Sequence, residues 1–262
     1  MKICIYGAGA VGTYLAGRLH AGGADVSLIA RGAHLDAIQK SGMVVRVPDQ
    51  EIRAEVKASD DPHALGPQDM VIVSVKAPAL PSVAAGIAPL LKPETPVAFV
   101  MNGVPWWYFY NHGGSLDGQK LPRLDPDNTI WNAVGPERAI GGVISSACHM
   151  AAPGIVEVEN INGPLFLGEP NNKTSSRLEA LAGCFRAGGL DAVMSNNIRE
   201  EIWIKLARNI GSGPMAVLTQ AKLKDLFADE ACFDIRKQIQ AEMKEIAAAF
   251  GCTTKPDTEV QF

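Results

Sequence analysis

The sequence predicts an α/β fold: a mostly parallel sheet covered by helices, followed by an all-helical C-terminal domain. Two observations carry this. Short apolar runs of strand length at residues 2–6, 25–29, 70–75 and 97–101 alternate with stretches of helical character. Such βαβ alternation implies parallel strands, those at 70–75 and 97–101 buried on both faces. From Asn196 onward the pattern changes, because Ile198, Ile202, Leu206 and Ile210 recur every four residues, as on one face of a helix.

In chain order, residues 2–6 form the first strand, 11–21 the first helix and 25–29 the second strand, and a further helix covers 34–40. Residues 43–47 and 51–57 alternate apolar and polar side chains, as strands with one exposed face do. A helix bounded by prolines runs from about 80 to 91, between the two buried strands. Residues 104–136 break the alternation. They open on Pro105-Trp106-Trp107-Tyr108-Phe109-Tyr110 and continue through a Gly-, Pro- and Asp-rich stretch. Strands resume at 139–145, 155–159 and 165–167, and Thr174 or Ser175 can cap a helix reaching about 187. A short strand at 191–194 precedes the helical region, whose second helix spans about 224–250. The division expected is an α/β domain at 1–195 and a helical domain at 196–262.

Composition narrows the function classes. A length of 262 residues, 47% hydrophobic and 20% charged, suits one large domain or two modest ones. The net charge of −4 argues against nucleic acid as a partner, which calls for a basic face. No segment approaches the roughly 20 apolar residues that span a bilayer, and the apolar start is too short and too quickly broken by glycine for a secretory signal. Cys4, Cys148, Cys184, Cys232 and Cys252 are scattered, odd in number and without a C-x-x-C pair, so reduced thiols and a cytoplasmic location are expected. His20, His34, His63, His112 and His149 show no metal-ligand spacing, and no metal is expected.

The first strand runs into Gly7-Ala8-Gly9-Ala10-Val11-Gly12, a G-x-G-x-x-G turn that opens a helix. This is the dinucleotide-binding fingerprint of a Rossmann-type domain. Gly7 permits the tight turn, Gly9 lets a pyrophosphate approach the backbone, and Gly12 lets helix and strand pack closely. The end of the second strand carries Ile29-Ala30-Arg31-Gly32 instead of an acidic residue. A carboxylate there would bind a ribose 2′-hydroxyl, whereas a guanidinium suits a 2′-phosphate, so Arg31 points to NADP. A solvated loop arginine is the plain alternative.

These motifs, together with Val75-Lys76, Asn102-Gly103 and the stretch from Asn197 through Lys205 to Asn209, resemble the ketopantoate reductase (2-dehydropantoate 2-reductase) family along essentially the whole chain. The resemblance implies a two-domain oxidoreductase that reduces ketopantoate to pantoate with NADPH, in pantothenate and coenzyme A biosynthesis. It implies Lys205 as the acid that protonates the nascent alkoxide, Asn209 as a residue orienting the substrate, Lys76 as a cofactor contact, and Asn102 as a contact to both. The residues agree with such chemistry. A ketone receiving hydride needs a proton donor and polar groups at its oxygen, and Lys205 and Asn209, four residues apart, share a helix face.

Two positions depart from the family pattern. Gly213 and Leu223 stand where the family has asparagines, which weakens the expected grip on the hydroxyl and carboxylate of ketopantoate. Family members also continue into a helix whose serine and glutamate contact the ligands, and neither can be assigned in this sequence. The aromatic run 106–110 offers either a wall for a bulkier keto acid or core and subunit contact, as in a homodimer. The alternatives are therefore a reductase of another small 2-keto acid, and an NADP-binding sensor without catalysis.

Overall fold

The computed structural model describes residues 1–159 and 163–252. The N-terminal region builds β1 (Lys2–Tyr6), α1 (Ala10–Ala21), β2 (Asp25–Ile29), α2 (Gly32–Ser41), β3 (Met43–Val47), β4 (Gln50–Ala54), β5 (Lys57–Ser59), β6 (Met70–Val73), α3 (Leu80–Gly86) and β7 (Val97–Val100). It continues through α4 (Thr129–Val134), β8 (Ala139–Ile144), β9 (Cys148–Ala152), β10 (Ile155–Val158), β11 (Leu165–Gly168), α5 (Ser176–Ala187) and β12 (Ala192–Met194). The helical region comprises α6 (Ile198–Ile210), α7 (Gly213–Thr219), α8 (Leu223–Ala228) and α9 (Glu230–Ala249). The last stretch of the expected helical domain, 253–262, lies outside the described residues.

The main sheet has the order β12-β11-β8-β7-β6-β1-β2-β5. The six strands from β8 to β5 run parallel, while β11 joins β8 antiparallel and β12 joins β11 parallel. A second sheet, β4-β3-β10-β9, lies across α1. This double cover explains a helix with no polar face: every residue from Gly12 to Leu19 is buried, and a Cβ at Gly17 would stand 2.8 Å from Val45 Cγ2 of the second sheet. The predicted strand 51–57 is thereby corrected. Its first part is β4 in the small sheet and its last residue opens β5 in the large one, because the chain passes between sheets at Glu55-Val56.

Alternate strand residues feed two cores. Ile3, Ile5, Ile72 and Ala98 pack with α1 and α5 on one face, and Cys4, Val71, Val73 and Phe99 pack with α3 and α4 on the other. The first two apolar turns of α6 belong to the second core through Ile198 and Ile202. A third core joins Tyr108 and Phe109 to Trp203, Met243 and Ala247. The helical region is thus seated directly on the sheet domain. The predicted helix 224–250 is interrupted at Asp229, whose extended backbone ends α8 and whose carboxylate caps α9 by accepting from Cys232 N–H at 2.9 Å. Ser175 caps α5 in the same way through Leu178 N–H.

Trp106, Trp107, Tyr108 and Phe109 are 0–4% exposed. These four are core, Tyr110 is half-buried, and Trp106 and Trp107 also line a pocket beside Asn102. Among the described residues no helix is long and apolar enough to cross a membrane, and no group of His, Cys, Asp and Glu could hold a metal ion.

Candidate active site

Parallel strands end on the same edge of a sheet, so register determines what gathers there. Tyr6 pairs with Ile29 and Val73, Val73 pairs with Phe99, and Val100 pairs with Gly142. Across β2, β1, β6, β7 and β8, the residues beyond the strands meet that edge in the order Arg31, glycine turn, Lys76, Asn102 and the Ile144 carbonyl that holds Lys205. With strands about 4.8 Å apart, the row extends about 19 Å, which suits an extended dinucleotide with a substrate at its far end.

The glycine turn has the geometry a pyrophosphate requires, by different means at each position. Gly7 sits at φ +104, and a Cβ there would meet Val75 Cγ1 at 2.5 Å. A Cβ at Gly12 would lie 2.2 Å from the Gly7 carbonyl oxygen, whereas one at Gly9 would meet nothing within 4 Å. Gly7 and Gly12 are therefore demanded by packing, and Gly9 keeps the approach open. Gly7 N–H and Ala8 N–H both donate to the Ile29 carbonyl, at 3.1 and 3.0 Å, so these two residues shape the loop. The N–H groups of Ala10, Val11 and Gly12 lie in the first turn of α1, which has no side-chain cap, and a helix start of this kind can hold phosphate oxygens. Gly12→Ala is expected to destabilise the protein by about 1–3 kcal/mol through overpacking and to abolish NADPH binding; calorimetric melting and cofactor fluorescence would measure the two effects.

Two supports of this turn were not legible in the sequence. Ser74 Oγ donates to the Gly7 carbonyl at 2.9 Å. On α2, His34 Nδ1 accepts from Gly154 N–H at 2.8 Å, which leaves the ring proton on Nε2, 3.1 Å from Thr13 Oγ1 on α1. That arrangement requires a neutral ring, and burial lowers the imidazole pKa in the same sense. Both contacts join residues remote in sequence, so no local signal announces them.

Arg31 is exposed at the N-terminus of α2 and makes no side-chain hydrogen bond or ion pair among the described residues, leaving its guanidinium available to a 2′-phosphate. Lys76 is exposed just beyond β6, and Asn102 is exposed just beyond β7. Asn102 lines a pocket whose other walls include Leu80, Met101, Trp106, Gly142 and Ile202. Ile202 stands one turn before Lys205 on α6, and Gly142 stands two residues before Ile144 on β8, so helix and strand bring Lys205 to the neighbourhood of Asn102.

Lys205 is half-buried, and its ammonium donates to the Ile144 carbonyl. Burial, with the nearby Arg208 charge adding to it and Cys148 opposing it, brings its pKa down to about 8. Asn209 lies one turn further along α6, exposed. Gly213 begins α7 in open space, where a Cβ would meet nothing, and Leu223 begins α8, exposed.

What anchors α6 is Arg199, which periodicity places on the helix without revealing its role. It is 4% exposed and donates to three backbone carbonyls: Tyr108 at 2.7 Å, Pro170 at 2.5 Å and Tyr110 at 2.8 Å. Its guanidinium also lies over the Tyr108 ring, while Trp203 Nε1 donates to the Tyr108 hydroxyl at 2.7 Å. The aromatic segment and the helix bearing Lys205 are locked together by these contacts.

Comparison with known proteins shows similarity along the chain. The family model described as ketopantoate reductase PanE/ApbA matches residues 3–172, and the corresponding C-terminal model matches residues 197–261. A 2-dehydropantoate 2-reductase from Mesorhizobium japonicum is 41% identical over 253 residues, which cover 96% of this chain and 77% of the relative. A crystal structure from Ralstonia solanacearum MolK2, provisionally named a ketopantoate reductase, superposes with a TM-score of 0.92 at 42% identity, covering 98% of this chain and 79% of that one. A PanE/ApbA family ketopantoate reductase from Ralstonia eutropha JMP134 superposes with a TM-score of 0.78 at 29% identity, covering 98% and 77%. With both family models matched in order and the sheet edge arranged as above, the chain belongs to the ketopantoate reductase PanE/ApbA family.

Proposed function

We propose that this protein reduces 2-dehydropantoate to pantoate with NADPH, within pantothenate and coenzyme A biosynthesis. The observation that carries the reading is the order of groups along the sheet edge, from Arg31 through the glycine turn, Lys76 and Asn102 to Lys205. NADPH, when bound, supplies the hydride that reduces the keto carbon. Arg31 holds the 2′-phosphate, the first turn of α1 holds the pyrophosphate, and Lys76 and Asn102 position the nicotinamide half. Lys205 transfers its proton to the ketone oxygen as negative charge develops there, and Asn209 orients the substrate from the next turn. A lysine with its pKa near 8 is still mostly protonated at pH 7 and is a stronger acid than a solvated one. The α/β domain, 1–195, thus serves the cofactor, and the helical region from 196 supplies the acid.

NADPH oxidation with 2-dehydropantoate and with a panel of other small 2-keto acids tests the reading. Turnover of 2-dehydropantoate above the rest supports it, and no turnover of that substrate overturns it. A second reading, a different 2-keto acid, is favoured by Gly213 and Leu223 in place of amides and by a pocket walled by Met101 and Trp106. Arg31→Ala tests the cofactor assignment. It is expected to raise the Michaelis constant for NADPH by about 10- to 100-fold, the equivalent of losing one charge-assisted contact of about 1.5–3 kcal/mol, and to leave that for NADH unchanged. A cytoplasmic location belongs to the same proposal and is supported by the five free cysteines.

A further inference from the structure

Lys205 supplies one positive charge to the site, yet a 2-keto acid presents two oxygen groups, a ketone and an adjacent carboxylate. We infer that Arg208, three residues beyond Lys205 on α6, is the anchor for the substrate carboxylate and so sets specificity for 2-keto acids over simple ketones. The inference rests on the 2-keto acid reading above.

Geometry is the first support. Residues three apart on a helix stand about 5–6 Å apart at Cβ on one face. Two cations so spaced can address a ketone oxygen and the carboxylate on the next carbon. Their proximity has an electrical signature, since the Arg208 charge helps to lower the pKa of Lys205.

The second support is the contrast with other arginines. Arg199 is committed to three carbonyls, Arg177 pairs with Glu169 at 2.6 Å, Arg18 donates to the Gly188 carbonyl at 3.3 Å, Arg138 donates to the Pro93 carbonyl, and the buried Arg236 has its guanidinium over the Phe227 ring. Arg208 is half-buried, its Nε is fully enclosed without an acceptor, and its side chain makes no hydrogen bond or ion pair among the described residues. Withdrawing a guanidinium from water without an anion is costly, whereas a carboxylate matches its fork with two charge-assisted hydrogen bonds.

The test uses the full chain with NADPH, and compares wild type with Arg208→Gln and Arg208→Lys on 2-keto acids, each paired with its uncharged methyl ester. Arg208→Gln is expected to lower kcat/KM for the acid by about 10- to 100-fold, mainly through KM. At a pH well below the lysine limb, where Lys205 is protonated in both proteins, the ester rate and the KM for NADPH should stay at wild-type values, and Arg208→Lys should restore part of the loss of acid turnover. The high-pH limb of the rate should also move upward in Arg208→Gln, because Lys205 loses a neighbouring cation. Equal losses on acid and ester, no loss on either, or a rise in the KM for NADPH would overturn the inference. Should the wild type reduce no 2-keto acid, the reading of the reaction fails on its own. Calorimetric binding of oxamate to the NADPH complex then decides the anchor: binding lost in Arg208→Gln upholds it, and binding that is absent or unaffected refutes it.

Discussion

Lys205→Ala is expected to lower kcat by about 100- to 10,000-fold, the usual contribution of a positioned general acid, while the dissociation constant for NADPH stays within about twofold. The asymmetry follows from placement. Lys205 lies beside the end of β8, three strands from the glycine turn and four from Arg31, which in the proposed reaction puts it at the substrate end of the row and away from the phosphate groups. A matching pH profile is expected in the wild type. The acid must carry its proton, so the reduction rate should be flat below the lysine pKa and fall as pH rises through about 8. In the variant that limb should vanish. Stopped-flow NADPH oxidation at saturating substrate, with cofactor binding followed by fluorescence, measures both. A variant with unchanged kcat, or with cofactor binding lost in proportion to rate, would remove Lys205 from the chemistry.

Arg199→Met is expected to destabilise the fold by about 3–5 kcal/mol, because it leaves buried carbonyls at Tyr108, Tyr110 and Pro170 without their donor. Methionine keeps much of the packing volume, so the loss reports the hydrogen bonds. Urea unfolding followed by tryptophan fluorescence would record it. A secondary effect should accompany the loss of stability. With its anchor gone, α6 holds Lys205 less firmly, and kcat should fall further than the KM for NADPH changes. A change below about 1 kcal/mol would mean that water replaces the guanidinium at these carbonyls.

Much of this was legible in the residues themselves because it is local. Six residues of a glycine turn after a strand announce a dinucleotide loop, and the arginine at the next strand end is the basis for proposing a 2′-phosphate there. The four-residue recurrence of Ile198, Ile202, Leu206 and Ile210 announces α6 and puts Lys205 and Asn209 on one side of it. Local reading failed where one stretch serves two layers. The alternation at 51–57 looks like a single strand, although its ends join different sheets, and the run 106–110 offers wall, core and interface equally until its neighbours are known.

The sequence by itself determined the α/β class and the glycine-rich loop, because each is encoded within a few consecutive positions, whereas Lys205, Asn209, Lys76 and Asn102 were singled out by the resemblance to the ketopantoate reductase family. Only the tertiary structure decided that the strand ends line up in the order of a dinucleotide, that α1 is covered on both sides, and that Arg199 is structural while Arg208 is left uncommitted. Strand order, burial and the choice of hydrogen-bond partner depend on residues far apart in the chain, and no local periodicity records them.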